Sequence, residues 1–209
     1  MRRALIVIDV QNEYVSGDLP IEYPDVRLSL RNIGRAIDAA RTRAIPVLVV
    51  QNTAPAGSPL FARGTPGWEL HPVVASRKYD AYFEKSLPSV FAGTELGAWL
   101  ERERIDTLSV VGYMTHNCVD ATIKHALHAG FRGEVLYDAT GSVSYRNQVG
   151  AVSAREIHQA TSVVLQSRFA AVVTTDAWLS AIERGVECER DNIFASNQRA
   201  RMQVGEALG

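Results

Sequence analysis

Cysteine is scarce in this chain: Cys118 and Cys188 are the only two among 209 residues. Two cysteines cannot form a disulfide framework, so a reducing, cytoplasmic compartment is expected. Proline is absent from the second half; all 8 lie at or before Pro88. Loops are therefore expected early and uninterrupted elements late. Long apolar runs are missing as well. The stretches 4–8 and 47–50 are strand-sized, and nothing reads as a bilayer span. Arg2 and Arg3 open the chain, but Asp9 cuts the apolar run after five residues, too early for a signal-peptide core, and secretion is not expected. There is no excess of either charge: Lys+Arg number 22 and Asp+Glu 23, for a net −1. No electrostatic drive toward nucleic acid or a membrane surface follows. With 46% hydrophobic and 22% charged residues, global disorder is excluded, and the length suits a single domain.

What is present is an alternation. Apolar strand-like runs occupy 3–10, 46–51, 106–112, 134–138 and 170–174, with a weaker candidate at 79–85. Helical spacing marks 25–42, 94–103, 117–129, 151–167 and 176–184. The 3–10 run is apolar on consecutive positions, as a strand buried on both faces should be. Strands alternating with helices predict βαβ crossovers and a mainly parallel sheet covered on both faces. Ligand sites in such sheets lie at the carboxyl ends of the strands. The prolines and glycines of 52–79 mark a long loop, and Phe61 and Trp68 within it predict an ordered lid or pocket wall. The domain is expected to span 1–185, followed by a polar tail over 186–209 that frays or reaches across an oligomer interface.

Three residues at the strand ends carry chemistry. Cys118 follows a strand and opens a helix, with Thr115 or Asn117 available as cap. The positive end of the helix dipole favours a thiolate there, and free backbone N–H groups in the turn suit an oxyanion. A buried structural cysteine fits the same position. Asp9 ends a buried strand, where a carboxylate is costly unless it is paired or faces a ligand; a capping role is the alternative. Lys85 is either a solvated side chain or, turned inward, a cation for both anions. Together the three make a nucleophile, a base and a cation. Around them, His116, Tyr14 and Trp68 are candidate pocket walls, as are Gln11 and Tyr113 from the polar clusters at the strand ends. His125 and His128 belong on an exposed helix face, His158 reads as structural or surface, and Cys188 as inert. Asp138 either braces the site or caps a turn.

Five segments stand in order along the chain: Asp9-Val10-Gln11-Asn12; Gly64-Thr65-Pro66-Gly67-Trp68-Glu69-Leu70; Lys85 with Ser89, Phe91, Thr94 and Leu96; Val111-Gly112-Tyr113-Met114-Thr115-His116-Asn117-Cys118-Val119-Asp120-Ala121-Thr122; and Asp138-Ala139. In these the sequence resembles the isochorismatase-like cysteine hydrolases, the group that includes nicotinamidases and N-carbamoylsarcosine amidohydrolases. The resemblance implies a three-layer α/β/α fold of Rossmann-type topology with about six strands, and an Asp9–Lys85–Cys118 triad. It implies that Asp9 takes the thiol proton, Lys85 stabilises charge, Cys118 attacks a carbonyl carbon, and the N–H groups of Met114 and Cys118 hold the oxyanion. It also implies a cis peptide at Tyr113–Met114 and a homodimer or homotetramer.

Two departures refine the expectation. Metal-dependent nicotinamidases carry Asp-x-His after the second strand, where this chain reads Gln51-Asn52-Thr53-Ala54. His71 alone makes no metal site, so neither zinc nor iron nor any other cofactor is expected. Isochorismatases of this fold cleave a vinyl ether without needing the cysteine, so Cys118 points instead to hydrolysis of a C–N bond in a small amide, lactam, carbamoyl or ureido compound. The alternatives are a vinyl ether hydrolase and a catalytically silent oligomeric scaffold. A nucleotide-binding role lacks the Gly-x-Gly-x-x-Gly signature after the first strand.

Overall fold

In the computed structural model, which describes residues 1–207, six parallel strands form one sheet in the order β3-β2-β1-β4-β5-β8. They are β1 (Arg3–Ile8), β2 (Val47–Asn52), β3 (Ala81–Lys85), β4 (Thr107–Tyr113), β5 (Arg132–Gly141) and β8 (Ala171–Val173), with a separate hairpin of β6 (Tyr145–Asn147) and β7 (Gly150–Val152). The continuous apolar sequence of β1 is explained by its place: every residue is buried, with β2 on one side and β4 on the other. Its side chains alternate between two cores. Leu5 and Val7 pack with Ile33, Ile37 and Trp178; Ala4, Ile6 and Ile8 pack with Leu96, Leu100 and Ile123.

The helices sort accordingly. On the first face lie α1 (Val26–Thr42), the single turn α2 (Pro72–Ala75) and α6 (Thr175–Arg184). On the other lie α3 (Leu96–Arg102) and α4 (Asp120–His128). Asp25 caps α1 by accepting from the Arg27 N–H at 2.8 Å. Buried Leu30, Ile33, Ile37 and Ala40 then form its inner stripe. No helix among the described residues is long and apolar enough to cross a membrane.

Three segments differ from expectation. The 151–167 helix starts later, because Gly150–Val152 is the second strand of the hairpin. Helix α5 (Ala154–Val164) begins after Ser153, whose side chain forms a capping box with Glu156. The tail contains a helix, α7 (Ile193–Ala207); its polar sequence gave no apolar stripe, and residues 208–209 lie outside the described part. The helix expected from Asn117 is preceded by a π-turn over Thr115–Val119, closed by the Val119 N–H donating to the Met114 carbonyl at 3.2 Å. Neither Thr115 nor Asn117 caps it.

The 52–79 segment is laid across the ends of β1 and β2. Backbone bonds join Asn12 to Glu69, Glu13 to Gly67 and His71 to Val10, each at 2.9 Å.

Candidate active site

Asp9, Lys85 and Cys118 converge at the carboxyl edge of the sheet. Asp9 follows β1 in the left-handed region, φ 52°, a conformation aspartate tolerates better than most residues. Lys85 is the last residue of β3, and its side chain crosses the end of β2 to reach Asp9. Cys118 sits in the π-turn after β4. Gly112 lets β4 approach β1 there: its φ is +109°, and a Cβ would stand 2.0 Å from the Ile8 carbonyl oxygen.

Lys85 Nζ lies 2.7 Å from Asp9 Oδ2 and 3.3 Å from Cys118 Sγ. All three residues are nearly closed to solvent, at 0%, 4% and 6% exposure for Asp9, Lys85 and Cys118. The Lys85–Asp9 approach is a buried ion pair, and Lys85, Cys118 and the Asn52 backbone together hold the Asp9 charge against burial.

A second buried ion pair gives the contrast. Near the opposite edge of the sheet, Glu134 accepts from Arg3 Nη2 at 2.8 Å, Ser109 Oγ at 2.6 Å and Trp178 Nε1 at 3.1 Å. That carboxylate is saturated and structural. Asp9, whose one charged partner among the described residues is shared with a thiol, is less fully compensated and is fit for receiving a proton.

The electrostatics reverse one expectation. Burial pushes the Cys118 thiol up to about 12, and the Asp9 charge adds to the rise while Lys85 opposes it. Proximity to a helix start does not make a resting thiolate here; burial and Asp9 outweigh it. Burial also raises Asp9, with Lys85 pulling it back. Burial opposes the Lys85 charge, but Asp9 and then Cys118 hold its pKa above the ordinary value. One cation thus serves two potential anions. Releasing the thiol proton to solvent leaves a buried net negative charge; passing it to Asp9 leaves the net charge unchanged.

The surrounding candidates divide. Tyr14 is buried against Phe61, with ring centroids 5.1 Å apart, and its phenol is pushed well up, first by burial and then by Asp9 and Cys118. Trp68 is half-buried in the wall: its Nε1 donates to Thr53 Oγ1 at 2.9 Å, and its carbonyl accepts from Gln11 and Gln51. His116 donates or accepts at both ring nitrogens, with Ser142 Oγ at 3.0 Å and Tyr145 OH at 2.9 Å, so it braces the hairpin.

Two candidates are corrected. Gln11 is fully buried, its amide spent on both backbone groups of Asn52 and on the Trp68 carbonyl. Tyr113 points through the other face of the sheet, its hydroxyl 2.7 Å from Ser29 Oγ of α1. Asp138 likewise braces α6, accepting from the Thr175 N–H and hydroxyl at 2.7 Å. His125 and His128 are exposed, as their helix face predicts.

The Tyr113–Met114 bond is cis, and among the described residues the Met114 N–H has no acceptor. In place of the Asp-x-His pair, Gln51 takes the Tyr82 hydroxyl at 2.6 Å and Thr53 donates to Glu84 at 3.0 Å. His71 Nδ1 caps α2, accepting from the Val73 N–H at 3.1 Å. No three His, Cys, Asp or Glu side chains among the described residues stand close enough to share a metal.

Sequence reasoning missed what stands behind the nucleophile turn. Thr115 Oγ1 lies 2.9 Å from His158 Nδ1 and 3.0 Å from Thr140 Oγ1, and Thr140 in turn donates to the Tyr137 carbonyl at 3.0 Å. A bulge in β5 makes this possible: Val110 pairs with Val135, but Gly112 pairs with Thr140.

Set against known proteins, residues 3–177 match the model of the isochorismatase domain. A Burkholderia xenovorans LB400 structure described as a candidate isochorismatase is 64% identical, covers 98% of each chain and superposes with a TM-score of 0.97. An uncharacterized isochorismatase family protein of Bacillus subtilis, YddQ, is 30% identical over 86% of this chain and 99% of its own. The N-carbamoylsarcosine amidase of an Arthrobacter species is 30% identical over 67% of this chain and 60% of its own.

Proposed function

This chain belongs to the isochorismatase family of hydrolases, and we propose that it hydrolyses a C–N bond of a small amide, lactam, carbamoyl or ureido compound through a thioester on Cys118. The observation that carries this reading is the buried Asp9 carboxylate beside a thiol, with one ammonium in reach of both.

In the first half-reaction Asp9 takes the Cys118 proton as Sγ attacks the carbonyl carbon. Lys85 stays 3.3 Å from the sulfur and 2.7 Å from the carboxyl, so it follows the negative charge from one to the other without moving. The N–H groups of Met114 and Cys118 receive the oxyanion. Asp9 then gives its proton to the departing nitrogen, the C–N bond breaks, and the acyl group remains on sulfur. In the second half, Asp9 takes a proton from water, whose oxygen attacks the thioester carbon. The acid leaves, and the proton returns to Sγ. Tyr14 and Trp68 serve as aromatic walls. The near closure of the three groups restricts the reacting end to something small.

Cys118→Ser and Cys118→Ala distinguish this reading from vinyl ether hydrolysis. Both variants are expected to fold and to lose amine release from a panel of amides, lactams and ureido compounds by a thousandfold or more. An acyl adduct on Cys118, caught by mass spectrometry after rapid acid quench, supports the thioester. Isochorismate cleavage that survives Cys118→Ala, with no amide turned over by the native protein, overturns it.

A further inference from the structure

A cleft of about 490 Å³ lies behind the nucleophile turn, lined from β5, α5 and α7 and from the Tyr23 loop. It is separate from the Asp9–Lys85–Cys118 group, none of which lines it. Its floor holds His158, only 3% exposed, and Ser162. His158 Nε2 and Ser162 Oγ are buried, and no protein group among the described residues hydrogen-bonds to either. Buried polar atoms left this way are rare and call for a partner.

The bonding pattern fixes what His158 offers. The Tyr137 carbonyl can only accept, so Thr140 spends its hydroxyl hydrogen there. Thr115 must then donate to Thr140, and the Thr115 oxygen must accept from His158 Nδ1. Burial holds the imidazole down to about 4, with His116 adding to the effect and the Tyr137 backbone opposing it, so the ring is neutral at pH 7. A neutral ring protonated on Nδ1 presents a bare lone pair on Nε2.

The walls supply the rest. Tyr23 and Tyr137 flank the His158 ring, with centroids 5.5 and 6.3 Å away. Arg155 lies over the Tyr23 ring at 5.1 Å and is the one charged side chain lining the cleft among the described residues. No carboxylate among the described residues lies within ion-pair distance of it.

We propose that this cleft is a second small-molecule site, taking a planar aromatic carboxylate that carries a phenolic or amino hydrogen-bond donor. The carboxylate pairs with Arg155, the ring lies against Tyr23 and Tyr137, and the donor reaches His158 Nε2 and Ser162 Oγ.

The test is titration calorimetry of the full chain, with Cys118 alkylated to remove binding at the centre. The probes are 4-hydroxybenzoate, benzoate and 4-methoxybenzoate. The first is expected to bind at least tenfold more tightly than the other two, because only it donates to Nε2. Arg155→Gln, on the exposed rim, is expected to weaken it tenfold or more. Val163→Trp, which fills the mouth from a position 58% exposed, is expected to abolish it. A shift of the His158 Nε2 resonance with 4-hydroxybenzoate places the donor there. No binding at 5 mM, equal affinity for the three probes, or indifference to both substitutions overturns the proposal. So does a native oligomer that becomes monomeric with Val163→Arg and binds no probe, since the cleft then belongs to a second copy.

Discussion

Replacing the carboxylate of Asp9 by an amide should make Cys118 more acidic while stopping hydrolysis. Lys85 Nζ stands 2.7 Å from Asp9 and 3.3 Å from Cys118, so the carboxylate oxygen and the sulfur are no more than about 6 Å apart. At an effective dielectric constant near 20, unit charges at that separation repel by about 2.8 kcal/mol. This equals about two pKa units at the least, since any shorter distance repels more. The thiol at about 12 in the native protein is thus expected at about 10 or below in Asp9→Asn, with Lys85 now its sole counter-ion. At pH 8 the thiolate fraction rises about a hundredfold. The assay is the pH titration of the cysteine Cβ resonance in ¹³C-labelled protein, with Cys188→Ser in both backgrounds to leave one signal. Turnover is measured alongside and is expected to vanish, because the amide neither accepts the thiol proton nor activates water. An unchanged or higher Cys118 pKa in Asp9→Asn would refute the reasoning, since it would mean that Asp9 carries no negative charge at rest.

Lys85→Met leaves the buried Asp9 without its cation and is expected to cost about 3–5 kcal/mol in urea unfolding, most of it recovered in the Asp9→Asn/Lys85→Met double variant. Gly112→Ala places a methyl 2.0 Å from the Ile8 carbonyl at a positive φ, so a loss of about 3 kcal/mol or more and a lower melting temperature are expected. Burial works to raise Glu134, but the Arg3 and Ser109 hydrogen bonds overcome it and hold the pKa below 4.5. Its contribution to stability is therefore complete above pH 4.5 and is lost as pH falls through the folded value. Urea midpoints measured from pH 5 to pH 3 should decline, and more shallowly in Glu134→Gln.

The parallel sheet was legible because β1, β2 and β4 are buried on both faces and must be apolar on consecutive positions. The hairpin was not, because Val149 and Val152 are exposed and its strands have three residues each. Asp9, Lys85 and Cys118 could be read as a group from their places at strand ends and from the family pattern. Which face a neighbouring side chain takes could not. Tyr113 and Cys118 are five residues apart, yet they pack in different cores. The sign of the Cys118 shift also escaped, since a helix start is visible in sequence while burial and the distance to Asp9 are not. His158 reads as an ordinary mid-helix residue until the β5 bulge brings Thr140 beside Thr115.

Lys85 ends β3, which lies at the margin of the sheet with β2 as its one neighbour. Strands held along a single side fray at much lower free energy than those held on both. Each such opening carries the ammonium away from its two partners while the remaining five strands stand. Amide exchange along residues 81–85 should therefore outpace that of β1 and β4. On warming, the reactive centre should fall silent before the protein melts, its working lifetime set by the rim of the sheet rather than by the interior.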